Sequence, residues 1–213
     1  MLNLEEALIG WMMMIEERCV VGIDYSTSSP SICINVGQDI DFHYLTTVQK
    51  NVKITEEGRF TFAGTHLPKF SLKIQQYDFI AKWAMGVLDL YRIHHVFIED
   101  YAFGATGKVF HIGENTGLLK HKLMRSFIPF SVVPPTVIKK EMIGKGNAKK
   151  EEIVEKFIKD TKSPLFSLLD TTTMNPASDI ADSYFICRYG IEQNDKNDLK
   201  SLHHDINECA IGN

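Results

Sequence analysis

Cysteine is scarce: Cys19, Cys33, Cys187 and Cys209 are the only four in 213 residues, and they stand far apart. No two form a CxxC pair, so neither a zinc site nor a disulfide framework is indicated, and a reducing, intracellular compartment is the expectation. Long apolar runs are missing too. The run at 7–15 is too short to span a bilayer. It follows Glu5 and Glu6, where a secretory signal carries positive charge. We read 1–19 as an extension that packs as a short helix or is partly disordered, with Met12, Met13 or Met14 as alternative starts, and expect no membrane partner. Excess basic charge is absent: 23 Lys and Arg face 27 Asp and Glu, for a net charge of −4. That excludes a uniformly basic nucleic-acid coat but leaves room for a local basic face. There is no internal repeat and no low-complexity tract. A Walker-type phosphate loop is also lacking, because Gly144-Lys145-Gly146-Asn147 has no Ser or Thr after its lysine.

What is present fits one domain with a proper core. Residues 20–23 and 31–36 read as strands, separated by small hydroxyl residues and Pro30. Gly22, inside the first run, marks a place where another backbone or a ligand comes close. Val36-Gly37-Gln38-Asp39 reads as a hairpin turn into a third, antiparallel strand at 41–48. The polar stretch 50–70 reads as an inserted loop or small hairpin with a strand at 59–62. Apolar spacing predicts a long helix over 71–92, and His94-His95-Val96-Phe97-Ile98-Glu99 a buried strand ending in acid. A helix over 113–127, a fifth strand at 130–133, a short helix from a Thr136 cap to Met142, and helices at 148–160 and 177 to about 190 follow. The tail, 191–213, is polar and expected to be loosely ordered. The fold class is α/β: a mixed five-stranded sheet flanked by helices, in one domain over 20–190 with an insertion at 50–70.

Asp24 and Glu99 both close a strand, and ligands in open α/β sheets bind outside strand C-termini. Asp179 and Asp182, at i and i+3, project from one helix face. Asp24 alone is equally well a turn residue; beside the other three it becomes part of a patch of four carboxylates. Such a patch needs cations, and two divalent ions about 4 Å apart would bracket a scissile phosphate. Oxygen-only ligands suit magnesium. Asp100 reads as a helper or a surface charge. The histidine pairs 94–95 and 203–204 are poor ligand sets, because adjacent strand residues face opposite ways. The segment 139–150 carries Lys139, Lys140, Lys145, Lys149 and Lys150 against Glu141 alone. A solvated loop is the usual fate of such a run, but Gly144 and Gly146 let the backbone approach a phosphate.

In order along the chain, GIDYS, VFIEDYAFG, VIKKEMIGKGNAKKEEI and SDIADSYFI resemble the RuvC-like Holliday-junction resolvases of the RNase H-like, or retroviral integrase-like, superfamily. The resemblance runs from Val20 to about Gly190. It implies a crossover junction endodeoxyribonuclease that hydrolyses phosphodiesters with two Mg2+ ions, Mn2+ substituting. The implied partner is four-way junction DNA, cut by paired symmetric nicks that leave 5′-phosphate and 3′-hydroxyl ends. It implies Asp24, Glu99, Asp179 and Asp182 as metal ligands, and Lys139 and Lys150 as the two functional lysines near the scissile phosphate. Lys140, Lys145 and Lys149 join them as DNA contacts. Tyr101 or Phe103 takes the place of the family's junction-stacking aromatic, or else belongs to the core.

Gly113-Glu114-Asn115-Thr116-Gly117 resembles the start of the family's interface helix. A homodimer is therefore expected, with Leu118, Leu119, Leu123 or Met124 supplying the surface unless that face belongs to the core. Tyr25-Ser26 replaces the Pro-Gly usual in bacterial members, and with the insertion and extensions this resembles a phage, viral or organellar branch. The corresponding locations are the bacterial or infected-host cytoplasm, or a nucleus, virus factory or organelle. The alternatives are an RNase H-like nuclease acting on other branched DNA or RNA/DNA hybrids, an actin- or sugar-kinase-like ATPase, and a DNA-binding module with a dead site. The ATPase is disfavoured by chain length and the missing second phosphate loop.

Overall fold

A computed structural model describes residues 18–100, 109–171 and 173–211, without side chains at 199 and 201–211. Tyr101 and Phe103 lie outside the described residues. The strands are β1 (Cys19–Asp24), β2 (Ser31–Val36), β3 (Asp39–Thr46), β4 (Ile54–Glu57), β5 (Phe60–His66), β6 (Ile93–Glu99) and β7 (Phe130–Val133). The helices are α1 (Lys73–Leu88), α2 (Val109–Arg125), α3 (Pro135–Ile143), α4 (Lys150–Thr161), α5 (Leu165–Leu168) and α6 (Ala177–Ile211).

One sheet of seven strands, in the order β4-β5-β3-β2-β1-β6-β7, divides the core. β1, β2 and β3 form an antiparallel meander, and β6 and β7 add in parallel beside β1. These are the five expected strands. The two extra ones come from the insertion, whose hairpin joins the sheet by pairing β5 parallel to β3. The reason is aromatic packing: Phe62 stacks on Phe42 at 4.9 Å, and Phe157 meets Phe42 edge-on at 5.8 Å. Full burial of such a ring is worth roughly 1.5–3 kcal/mol.

α1 and α2 cover one face of the sheet, over Val21, Ile23, Ile32 and Ile98. α3, α4, α5 and α6 cover the other, over Phe42, Phe62 and Phe97. Leu119 and Leu123 are 0% exposed within the first of these cores. This corrects the interface expectation for them: of the four named residues, Leu118 is half-buried and Met124 exposed.

Two glycines seat α6. A Cβ on Gly22 would fall 2.2 Å from the Cys187 backbone nitrogen and 2.4 Å from the Ser183 carbonyl oxygen, so the helix backbone rests directly on β1. Gly190 does the same against the Phe97 ring, 2.3 Å from Cδ2. It was expected to end the helix and instead lets it pass. Residues 191–211 hold no Pro and no Gly, and Leu199, Leu202 and Ile206 recur at i, i+3 and i+7. The expectation of a loose tail is therefore corrected: α6 continues to Ile211. Lys196 pairs with Glu141 at 3.7 Å, and Asp198 with Arg18.

α3 also starts differently from expectation. Pro135 is its first residue, and Pro134, not Thr136, occupies the cap position without a side-chain bond. Proline at a first helical position has its φ preset and forfeits only an N–H that would be unpaired anyway.

Candidate active site

Side chains alternate across a strand. Gly22 faces α6, so Asp24, two residues on, faces α6 as well. Phe97 packs on Gly190 of α6, so Glu99 points the same way. β1 and β6 are parallel neighbours with Ile23 opposite Ile98, which brings the two acids to the same edge. From α6, Asp179 lies on the stripe that continues through Ser183 and Cys187 to the sheet, and Asp182 is one turn along. Three separate elements thus bring four carboxylates to one edge of the fold.

Asp179 is only 4% exposed. Ser29 Oγ donates to its Oδ2 at 2.7 Å, and Lys150 Nζ lies 3.9 Å from Oδ1. Lys150 donates to Ser178 Oγ at 3.3 Å and Asn175 Oδ1 at 3.5 Å, and Ser178 Oγ donates to the same Asn175 oxygen at 3.0 Å. Ser29, Asn175 and Ser178 escaped the sequence reading. Only Ser178, next to Asp179, carried any local signal. Lys150 is the first residue of α4, whose start is held by Glu152 accepting from the Lys149 N–H at 2.8 Å.

Burial raises all four carboxyls. Asp24 is pushed well above the ordinary carboxylate range by burial, then by Glu99, Asp179 and Asp182, with Lys150 opposing. Burial, reinforced by Asp182, lifts Glu99 to about 7, against the pull of Lys139 and Lys150. Asp182 rises to about 6, also through burial, with Lys139 opposing and Asp179 adding. Asp179 is raised by burial, partly offset by Ser29 and Lys150. Apolar walls account for the desolvation: Glu99, Asp182 and Lys139 share a small gap with Ile138, Ile143, Ile153 and Phe185.

The five lysines separate into two groups. Lys139 and Lys150 act electrostatically on the carboxylates. Lys145 is ion-paired to Glu152, while Lys140 and Lys149 are exposed. Beside the acids runs a cleft of about 610 Å3, whose lining includes Asp24, Glu99, Lys139 and the hydroxyl loop Ser26, Thr27 and Ser28. Among the described residues, no three His, Cys, Asp or Glu side chains are already gathered as a metal-ligand group. The donor set is nonetheless of the kind a hard divalent cation takes, carboxylate oxygen only.

Two solved structures share the arrangement of strands and helices. Thermus thermophilus RuvC in complex with a Holliday junction substrate superposes with a TM-score of 0.50, at 15% identity, over 80% of this chain and 90% of that one. The yeast mitochondrial Holliday junction resolvase Ydc2 gives 0.51, at 16% identity, over 82% of this chain and 78% of that one. The chain has the RuvC-like resolvase fold. In sequence, 68 residues are 37% identical to the crossover junction endodeoxyribonuclease RuvC of Helicobacter pylori (strain Shi470). A match of the same identity and length occurs with RuvC of Helicobacter acinonychis (strain Sheeba). The matched segment is 32% of this chain and spans 43% of those relatives' length. No family model matches. Within the RuvC-like fold, the seven-stranded sheet here is the expected five plus the insertion hairpin. Among the described residues, no helix is long and apolar enough to cross a membrane.

Proposed function

We propose that the protein is a structure-selective endonuclease that resolves four-way DNA junctions, with Asp24, Glu99, Asp179 and Asp182 as the metal-holding set. The observation that carries this reading is the convergence of four carboxylates, Asp179 buried and the other three half-buried, from two parallel strand ends and one helix, with Lys139 and Lys150 beside them in a RuvC-like fold. The carboxylates would hold two divalent cations, Mg2+ or Mn2+. Bound there, the cations supply Lewis acidity to an attacking water and to the departing 3′ oxygen. Lys150, held by Ser178 and Asn175, is placed to meet charge developing on the phosphate. Lys139 does the same from the Glu99–Asp182 side. The Ile138–Ile153–Phe185 wall shields one side of Glu99 and Asp182 from water and strengthens their interaction with Lys139. Lys140, Lys145 and Lys149 would contact the DNA backbone at the rim, and Tyr101 or Phe103 would stack at the junction centre.

The protein acts as a homodimer in this proposal, since two symmetric nicks need two sites. Support comes from α2. Phe110 and Met124 are exposed on it, Phe127 just beyond it is 93% exposed, and a Cβ at Gly113 or Gly117 would meet nothing within 4 Å. The test is cleavage of end-labelled four-way junction, flap, duplex and RNA/DNA hybrid with Mg2+ or Mn2+, alongside sedimentation with and without junction DNA. Paired nicks on opposed strands, sealable by a ligase, are expected from a dimer. Preferential cutting of the hybrid or of flaps would replace this reading with the broader nuclease one.

A further inference from the structure

The cleft that holds Asp24 and Glu99 is also lined by Lys73 and Tyr77, from the start of α1. Gln76 Nε2 donates to the Thr27 carbonyl at 2.7 Å, fastening that helix start to the hydroxyl loop. The chemistry of this helix start is unusual. The cap residue is Leu72, which makes no side-chain cap bond, and the first turn has no acidic residue but begins with Lys73. Helix starts ordinarily carry Ser, Thr, Asp or Asn to satisfy their free N–H groups, and a cation at the positive end of the helix dipole is unfavourable unless an anion joins it.

A second observation points the same way. Tyr77, one turn on from Lys73, is 1% exposed, lines the cleft, and has a hydroxyl with no hydrogen-bond partner among the described residues. A buried hydroxyl left unpaired is costly unless something arrives to bond it. Among the described residues Lys73 Nζ makes one bond, to Gln76 Oε1 at 3.2 Å, and an ammonium has three donors.

We propose that this end of the cleft is a phosphate subsite. It holds a non-scissile phosphate of the same DNA strand whose scissile phosphate lies at the acids. Lys73 neutralises it, the Tyr77 hydroxyl donates to it, and the Lys73 and Ile74 N–H groups at the helix start, with the Ser26–Ser28 hydroxyls, complete a donor-rich cradle; the Leu72, Gln75 and Gln76 N–H groups are already bonded to Gln75 Oε1 and the Leu72 carbonyl. A base edge would call for acceptors as well as donors, whereas this cradle offers a cation, a helix N-terminus and hydroxyls, the chemistry of an anion site. Lys73 and Tyr77 are therefore positioning residues. Held at two points, the strand has a fixed register, and the subsite decides which phosphodiester reaches the carboxylates. The inference rests on the nuclease reading above.

The test uses the full chain, four-way junctions bearing a single neutral methylphosphonate at each phosphate flanking the cut, and the variants Lys73→Gln and Tyr77→Phe. Wild type should lose affinity about tenfold at one flanking position, and either variant should shrink that penalty. Lys73→Gln should also spread nicks onto neighbouring phosphodiesters, leave kcat within about threefold, and lower the slope of log Kd against log salt by about one. Tyr77→Phe should leave thermal stability unchanged or higher, whereas a purely structural tyrosine would lose stability. Unaltered cutting register and undiminished methylphosphonate sensitivity in both variants of an active protein would overturn the subsite alone. A wild type that cuts none of the DNAs would overturn the nuclease reading and the subsite with it.

Discussion

The two ends of the sheet differ most in the charge they gather. At the β4–β5–β3 end, Phe42 and Phe62 stack, and the Tyr44 hydroxyl inside the same packing donates to the Asn51 carbonyl at 3.0 Å. At the β1–β6 end, carboxylates face one another, all are raised by burial, and the Tyr25 and Tyr77 hydroxyls have no partner among the described residues. The first region contributes to stability. The second opposes it, and persists because the first, with the rest of the core, holds it in place. Local rules broken together at one edge mark it as the candidate site.

Breaking each end should therefore damage different properties. The largest effect expected is from Asp24→Asn: cleavage of junction DNA should fall at least about 10³-fold while gel-shift affinity persists. Full activity in the pure variant would remove Asp24 from the site. Next, Phe62→Ala should cost about 3–5 kcal/mol in urea unfolding, with the turnover of the remaining folded molecules unchanged. Lys150→Ala should lower the single-turnover rate by about 10²–10³ with little change in Kd. Weaker binding at a normal rate would make Lys150 an anchor only.

A pH effect sharpens the contrast further. Burial raises Glu99 from 4.5 to about 7 and Asp182 from 3.8 to about 6. Between those values the folded protein holds more protons than the unfolded chain. Stability from these groups is therefore full below about pH 4 and is lost as pH rises through 6 and 7. In chelator, Glu99→Gln should match wild type near pH 4 and exceed it in Tm at pH 8. Added Mg2+ should narrow the pH 8 difference. The smallest effect is expected from Lys145→Ala: a few-fold, salt-sensitive loss of junction affinity with a normal cleavage rate, since Lys145 is tied to Glu152.

The convergence of the candidate site was partly legible in the chain. Asp24 and Glu99 each end an apolar run, and the Asp179–Asp182 spacing identifies a single helix face. Glycine inside the first run correctly signalled a close approach, although it could not name α6 as the partner. Less could be read where meaning depends on distant residues. Ser29 is one small hydroxyl among several, and only folding brings it 2.7 Å from Asp179. Residues 59–62 read as a strand, but nothing local says that β5 pairs parallel to β3. The polar tail looked disordered because composition outweighed its i, i+3, i+7 pattern. Leu119 and Leu123 could serve a core or an interface equally well until their neighbours were known.

The contact at Gly22 works as a datum surface in the machinist's sense. With no side chain between them, the backbones of β1 and α6 touch, and there is no slack through which the helix can slide or lift. The offset between Asp24 and the two aspartates of α6 is thereby gauged two residues away from the acids themselves. Alanine at position 22 would act as a shim under α6, leaving every acid and lysine in the chain yet out of true. Its damage would be read in the spacing of the carboxylates before any loss of their chemistry.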